Sequence, residues 1–273
     1  MNNTRRRLFS LLVVATALLA GCSTLAPSAE TDADADVAAR RALAPTGVLR
    51  AGVYAGSPTS MIVDAKSGQK IGIAHDLGRE LARQLKVPFE VVEFRLIAEV
   101  LAALKVGAVD FTFTNATAAR AIDVDFTAPM LRLELGYIVL AGSKITTLAE
   151  VDQTGNRIGV SEGSSSQGAL SRQFKRATIV AAPSLKAARE MLSQRKLDAF
   201  ATNKAVLSEF ADELPATRIL DGRWGVENMA IAVPKARERG MATLRAFAER
   251  VTANGLLQSI VEKTGLRGLV KAE

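Results

Sequence analysis

Thr117-Ala118-Ala119-Arg120-Ala121-Ile122-Asp123-Val124-Asp125-Phe126-Thr127-Ala128-Pro129 places an arginine three residues after a hydroxyl, ahead of a short segment closed by proline. Thr117 precedes a helical stretch and can cap its N-terminus through the side-chain oxygen. Arg120 carries a planar fork that binds a carboxylate or a similar oxyanion through two parallel hydrogen bonds. Two readings of Arg120 stand side by side at this level: a partner for the oxyanion of a ligand, or the cation of a local salt bridge to Asp123 or Asp125.

On both sides of this stretch, short β-branched or apolar runs alternate with amphipathic ones. The runs predict strands at Leu49–Tyr54, Phe89–Phe94, Asp110–Thr114, Gly136–Ala141, Arg157–Ser161, Thr178–Ala182, Ala199–Thr202 and Met229–Val233. Between them, Leu77, Leu81 and Leu85 share one helical face, as do Ile97, Val100, Leu101 and Leu104, and later Leu185, Ala188 and Leu192. Strand, helix, strand in succession implies parallel sheets with right-handed crossovers, an α/β fold. From Thr46 onward about 228 residues remain, enough for one large domain or two lobes with their own cores. No repeat with a period of tens of residues is visible.

Thr117 to Arg120 and Val124 to Pro129 together resemble the Thr-x-x-Arg and Asp-Phe-Ser-x-Pro signature of the bacterial extracellular solute-binding proteins, family 3, of the polar amino acid ABC-transporter type. Gly47 to Arg50 looks like that family's opening strand, Gly72 to Leu77 like its Gly-x-x-x-Asp-Leu helix start, Gly163 to Ser165 like its second-lobe loop, and Leu197-Asp198-Ala199 like its Leu-Asp-Ala strand start. These motifs keep the family's order from about Thr46 to Arg267. The resemblance implies a two-lobed periplasmic-binding-protein type II fold, with two parallel or mixed sheets flanked by helices and two hinge crossings. Lobe one is expected over 46–135 plus 231–273 and lobe two over 136–230, with crossings near Gly136 to Val139 and near Met229 to Ala232. Ligand is expected in the cleft at the carboxyl ends of the strands.

Within that frame the ligand-binding candidates are Arg120, Thr117, Asn115, Ser164, Ser165, Asn203, Tyr54 and Glu227. In the family the arginine matching Arg120 holds the ligand carboxylate. Asn115 stands where the family places a Ser or Thr, and its amide can donate and accept; a polar strand end explains it as well. Ser164 and Ser165 open a helix, where amides and hydroxyls suit an anion, while a plain N-cap accounts for one of them. Tyr54 can stack on a ligand or belong to the core.

Asn203 departs from the pattern, because the family usually presents there an aspartate for the ligand's α-ammonium. A neutral amide supplies no charge, so the expected ligand is a small carboxylate-bearing anion rather than an ordinary α-amino acid. Glu227 is the one substitute in view, although an exposed loop glutamate is the simpler reading. A further departure is the absence of the family's clamping aromatic near Ile97.

Catalysis finds little support. The chain holds one histidine, His75, and one cysteine, Cys22, which excludes a zinc cluster or a Cys/His dyad within one chain. His75 is expected to cap a helix or face solvent. No phosphate-binding glycine loop is present, and no cofactor or metal is expected. The alternatives on the same fold are a cyclohexadienyl or arogenate dehydratase, with Glu227 as its general acid, and a ligand-sensing module for a membrane receptor.

The N-terminal residues carry Arg5, Arg6 and Arg7, then an apolar run from Leu8 to Ala20. That run falls short of the roughly 20 residues that span a bilayer and reads as a signal peptide over 1–21. Leu19-Ala20-Gly21-Cys22 resembles the lipobox of bacterial lipoproteins, which makes Cys22 the lipidation site. Residues 22–45, rich in Ala, Ser, Thr, Asp and Glu, are expected to form a lipidated tether without an apolar period. With the leader's three arginines set aside, 32 basic residues face 28 acidic ones, a net of +4. That mild excess, spread without a basic block, argues against nucleic-acid binding. The expectation is a periplasmic, lipid-anchored monomer serving an ABC permease, held at the outer membrane if the source is Gram-negative.

Overall fold

The computed structural model describes residues 32–270. The expected signal peptide, Cys22 and the first part of the expected tether lie outside the described residues. The chain opens with α1 (Asp32–Leu43), β1 (Leu49–Tyr54), two short strands β2 (Ile62–Val63) and β3 (Lys70–Ile71), α2 (Ile73–Leu85) and β4 (Phe89–Phe94). It continues through α3 (Ile97–Lys105), β5 (Thr112–Asn115), α4 (Ala118–Ala121), β6 (Val124–Phe126) and β7 (Leu131–Leu140). Next come β8 (Arg157–Ser161), α5 (Ser165–Gln173), β9 (Thr178–Ala182), α6 (Leu185–Ser193) and β10 (Ala199–Asn203). The last elements are α7 (Lys204–Glu213), β11 (Thr217–Ile219), β12 (Gly225–Pro234), α8 (Glu238–Ala253) and α9 (Leu256–Lys263).

Residues 32–43 correct the tether expectation. Alanine favours helix, Arg40 and Arg41 sit in the last turn where the helix dipole favours cations, and Ala39, Leu43 and Ala44 are buried. Leu43 packs so closely on Gly240 of α8 that a Cβ there would stand 2.6 Å from the leucine Cγ. Arg237 donates to the carbonyl of Ala42 near the helix end. Two well-spaced apolar residues, too few to register as a period, are enough once α8 offers a glycine to pack on.

The α/β expectation holds with mixed sheets. The pairs β1–β4, β8–β9 and β8–β10 are parallel; α2, α3 and α6 are the helices the apolar spacing predicted, whereas α5, which joins β8 to β9, was expected only from the serines at its start. In contrast, β12 runs antiparallel to β5, β6 and β7, and β7 antiparallel to β10 and β11. The order β5-β12-β7-β10-β8-β9 is one continuous hydrogen-bonded path, so both lobes hang on the long strands β7 and β12.

Alternation along these strands fills a core on each side of the sheets. Phe200 faces Phe210, Leu192 and Ile138, whereas Ala199, Ala201, Tyr137 and Val139 face Ile158, Val160 and Leu170. In the first lobe Phe111, Phe113, Ile231 and Val233 meet Leu77, Leu81, Leu244 and Phe247. Leu133 belongs to that first core and Tyr137 to the second, so β7 passes between lobes within Glu134 to Gly136. On β12 the passage lies between Trp224, which packs on the second core, and Met229, which lies in the first. Both passages fall a few residues earlier than the resemblance suggested.

One clamp recurs in both lobes. Arg50, near the start of β1, donates from its backbone N–H, Nε and Nη2 to Asp110 and also to the carbonyl of Gly107. Arg157, at the start of β8, makes the same set of bonds to Asp198 and to the carbonyl of Arg195. Thus Asp198 of the Leu-Asp-Ala motif fixes strand register and stands apart from the ligand cleft. His75 is buried, bonded through Nδ1 to Asp76 at 2.8 Å with its ring edge-on to Phe89, which corrects the capping or surface expectation. Its side of the helix is buried as well, with Gly78 and Ala82 three and seven residues on.

Candidate functional site

Between the lobes lies a crevice lined by residues from both, among them Tyr54, Asn115, Arg120, Ser164, Ser165, Asn203 and Glu227. Seven of the eight residues singled out in the sequence therefore share one cavity. The eighth, Thr117, lines an outer groove beside α3 and α5, and its hydroxyl accepts the backbone N–H of Arg120 at 3.3 Å as the N-cap of α4. Its part is to set the helix turn that carries the arginine.

Arg120 avoids both local carboxylates, since Asp123 pairs with Lys105 and Asp125 with Lys235. Instead its Nη1 donates to Thr114 Oγ1 at 2.9 Å and to the carbonyl of Asn115 at 3.0 Å, both on β5. Among the described residues no acceptor engages Nε or Nη2. Burial pushes the guanidinium below its ordinary pKa, and the nearby Glu227 carboxylate opposes that shift. The sequence reading missed Thr114; its signal was the alternation Thr112, Thr114 at a strand end six residues before the arginine.

Glu227 is buried rather than exposed in a loop. Its Oε1 accepts from the hydroxyl of Ser165 at 2.8 Å and its Oε2 from the amide of Asn203 at 2.9 Å. Asn203 in turn accepts the backbone N–H of Val206 at 3.1 Å, capping α7, so its amide is turned toward the glutamate. Asn203 lies opposite Leu135 of β7, which lies opposite Gly225 of β12, and Glu227 follows two residues on, facing the same side as Gly225. The carboxylate thus stands beside the place where the family resemblance expected one from residue 203.

The lobes meet across this network. Asn115 of β5 donates to Ser165 Oγ at 3.2 Å and accepts the backbone N–H of Asn228 at 2.9 Å. Ser164 caps α5 by accepting from Gln167 at 3.1 Å while still lining the crevice. Gly163, at φ 66°, approaches Ala98 of α3 so closely that a Cβ would lie 2.4 Å from the alanine Cβ, and only glycine permits that approach. Tyr54 donates to Ser57 at 3.4 Å; burial raises its pKa, with the Ser57 bond opposing. The remaining wall includes Leu96, Ile97, Leu185 and Val206, and the aromatic that the family places near Ile97 has no counterpart there.

Comparison with known proteins gives the architecture its relatives. A family profile described as bacterial extracellular solute-binding proteins, family 3, matches residues 49–266. The solved structure of a solute receptor for L-cysteine of Neisseria gonorrhoeae is similar at 23% identity and TM-score 0.75, covering 85% of this chain and 99% of that one. A mutant of ArgBP from T. maritima is similar at 22% identity and TM-score 0.75, covering 83% and 99%. An ancestral amino acid-binding protein, titled a precursor of cyclohexadienyl dehydratase, is similar at 22% identity and TM-score 0.71, covering 82% and 98%. At these identities the likeness is one of fold. No curated protein matches the chain.

Proposed function

We propose a function from one premise: the chain belongs to the bacterial extracellular solute-binding proteins, family 3. It is a solute-binding protein of the amino acid ABC-transporter type, and its ligand on our reading is a zwitterion carrying a carboxylate and an α-ammonium. The observation that carries this is the pairing of opposite charges in one buried crevice, Arg120 with two nitrogens to spare and Glu227 oriented by Ser165 and Asn203. A carboxylate-only anion, favoured while Asn203 stood alone, would leave Glu227 as an uncompensated repulsive charge. Asn203 keeps its place at the amine end as the residue that orients the anion.

Thermal shift with matched ligands tests the reading. Amino acids are expected to raise the melting temperature, and the corresponding 2-hydroxy acids and decarboxylated amines to leave it unmoved, since each lacks one of the two charges. A shift confined to a carboxylate without an amine, or to a sugar, would overturn it.

Binding without turnover fits the site better than dehydration. Glu227 accepts hydrogen bonds at both oxygens, an arrangement suited to a fixed anion and without an O–H aimed at a leaving hydroxyl. The family's solute-binding work is extracellular or periplasmic, and we read Cys22 as the lipid attachment point that holds the protein at the outer membrane while it serves a permease. Cys22→Ser is expected to move the protein from the membrane fraction to the soluble periplasmic fraction; unchanged membrane association would remove the anchor from the proposal.

A further inference from the structure

The charges that would hold the backbone of an amino acid exhaust those of the crevice. Apart from Arg120 and Glu227, its lining consists of hydroxyls, amides and apolar groups. A basic ligand side chain would bring a second cation with no carboxylate to meet it, and an acidic one a second anion with no cation. Burying such a charge unpaired costs far more than burying a methyl or a hydroxyl.

The wall left over for a side chain is apolar and close. Leu96, Ile97, Leu185 and Val206 are all below 7% exposed and converge from the two lobes. Tyr54 has its hydroxyl committed to Ser57, which already shares a hydrogen bond with Thr59. The cavity volume is about 30 Å³, against roughly 10–15 Å³ for a single water on such a measure. That is room for about two or three waters, so with the lobes as they stand nothing beyond the space for the ligand's own charged groups is left for a long side chain.

We propose, resting on the zwitterion reading above, that this wall selects α-amino acids with short, uncharged side chains and turns away basic, acidic and large aromatic ones. Calorimetric titration of the purified protein with glycine, alanine, serine, cysteine, threonine and valine, then with lysine, arginine, aspartate, glutamate and phenylalanine, tests it. The tightest ligand is expected in the first group, with every member of the second weaker by about a hundredfold or more. A charged or aromatic amino acid within tenfold of the tightest ligand overturns this selectivity and leaves the zwitterion reading standing. Failure of every amino acid to bind, with or without binding of a deaminated acid, overturns both.

Discussion

Arg120→Ala is expected to weaken amino acid binding by about a thousandfold or more, the sum of two charge-assisted hydrogen bonds and the loss of the one cation that lines the crevice among the described residues. The side chain is already braced, because Nη1 is committed to Thr114 and to the carbonyl of Asn115 and the backbone is capped by Thr117. A fork held in this way gives up little conformational freedom when it takes a carboxylate. Arg120→Lys is expected to fall between the two, keeping the charge but losing the second parallel bond and the brace on β5. Calorimetry gives the affinities, and circular dichroism with the ligand-free melting temperature separates lost binding from lost fold. An alanine variant that binds within tenfold of the parent would place the carboxylate elsewhere.

Much of this site was legible in the chain, and the parts that were not share a physical cause. The parallel strands Leu49–Tyr54, Phe89–Phe94, Arg157–Ser161 and Thr178–Ala182 coincide end for end with expectation, because compact apolar runs between turns leave little choice of boundary. The long strands β7 and β12 were read too short. Their missed first halves carry Arg132, Glu134, Glu227 and Asn228, polar residues that lie outside the continuous apolar runs from which the strands were read. Arg120, Asn115 and Ser165 could be placed because each sits in a local motif. The partnership of Asn203 with Glu227 could not, since it depends on the register of β10 on β7 and of β7 on β12. Counting residues finds what is near in sequence; a carboxylate delivered two strands away needs the sheet.

That delivery sets the second large effect. Glu227→Gln is close to isosteric and removes the one anion facing the ligand end where Asn203 sits. We expect amino acid affinity to fall by about a hundredfold or more, because the ammonium would then be buried against neutral groups alone. The same substitution should strengthen, or leave unchanged, the binding of the matched 2-hydroxy acid, which no longer meets a like charge across the crevice from Arg120. An opposite response of two ligands to one substitution distinguishes a lost charge partner from a disturbed cleft, which would weaken both. Asn203→Asp tests the same point from the other side: it would set a second carboxylate against Glu227, and repulsion between the two should favour a protonated or more cationic occupant. If Glu227→Gln lowers affinity for the amino acid and the hydroxy acid alike, the glutamate shapes the cavity and the ammonium has another partner.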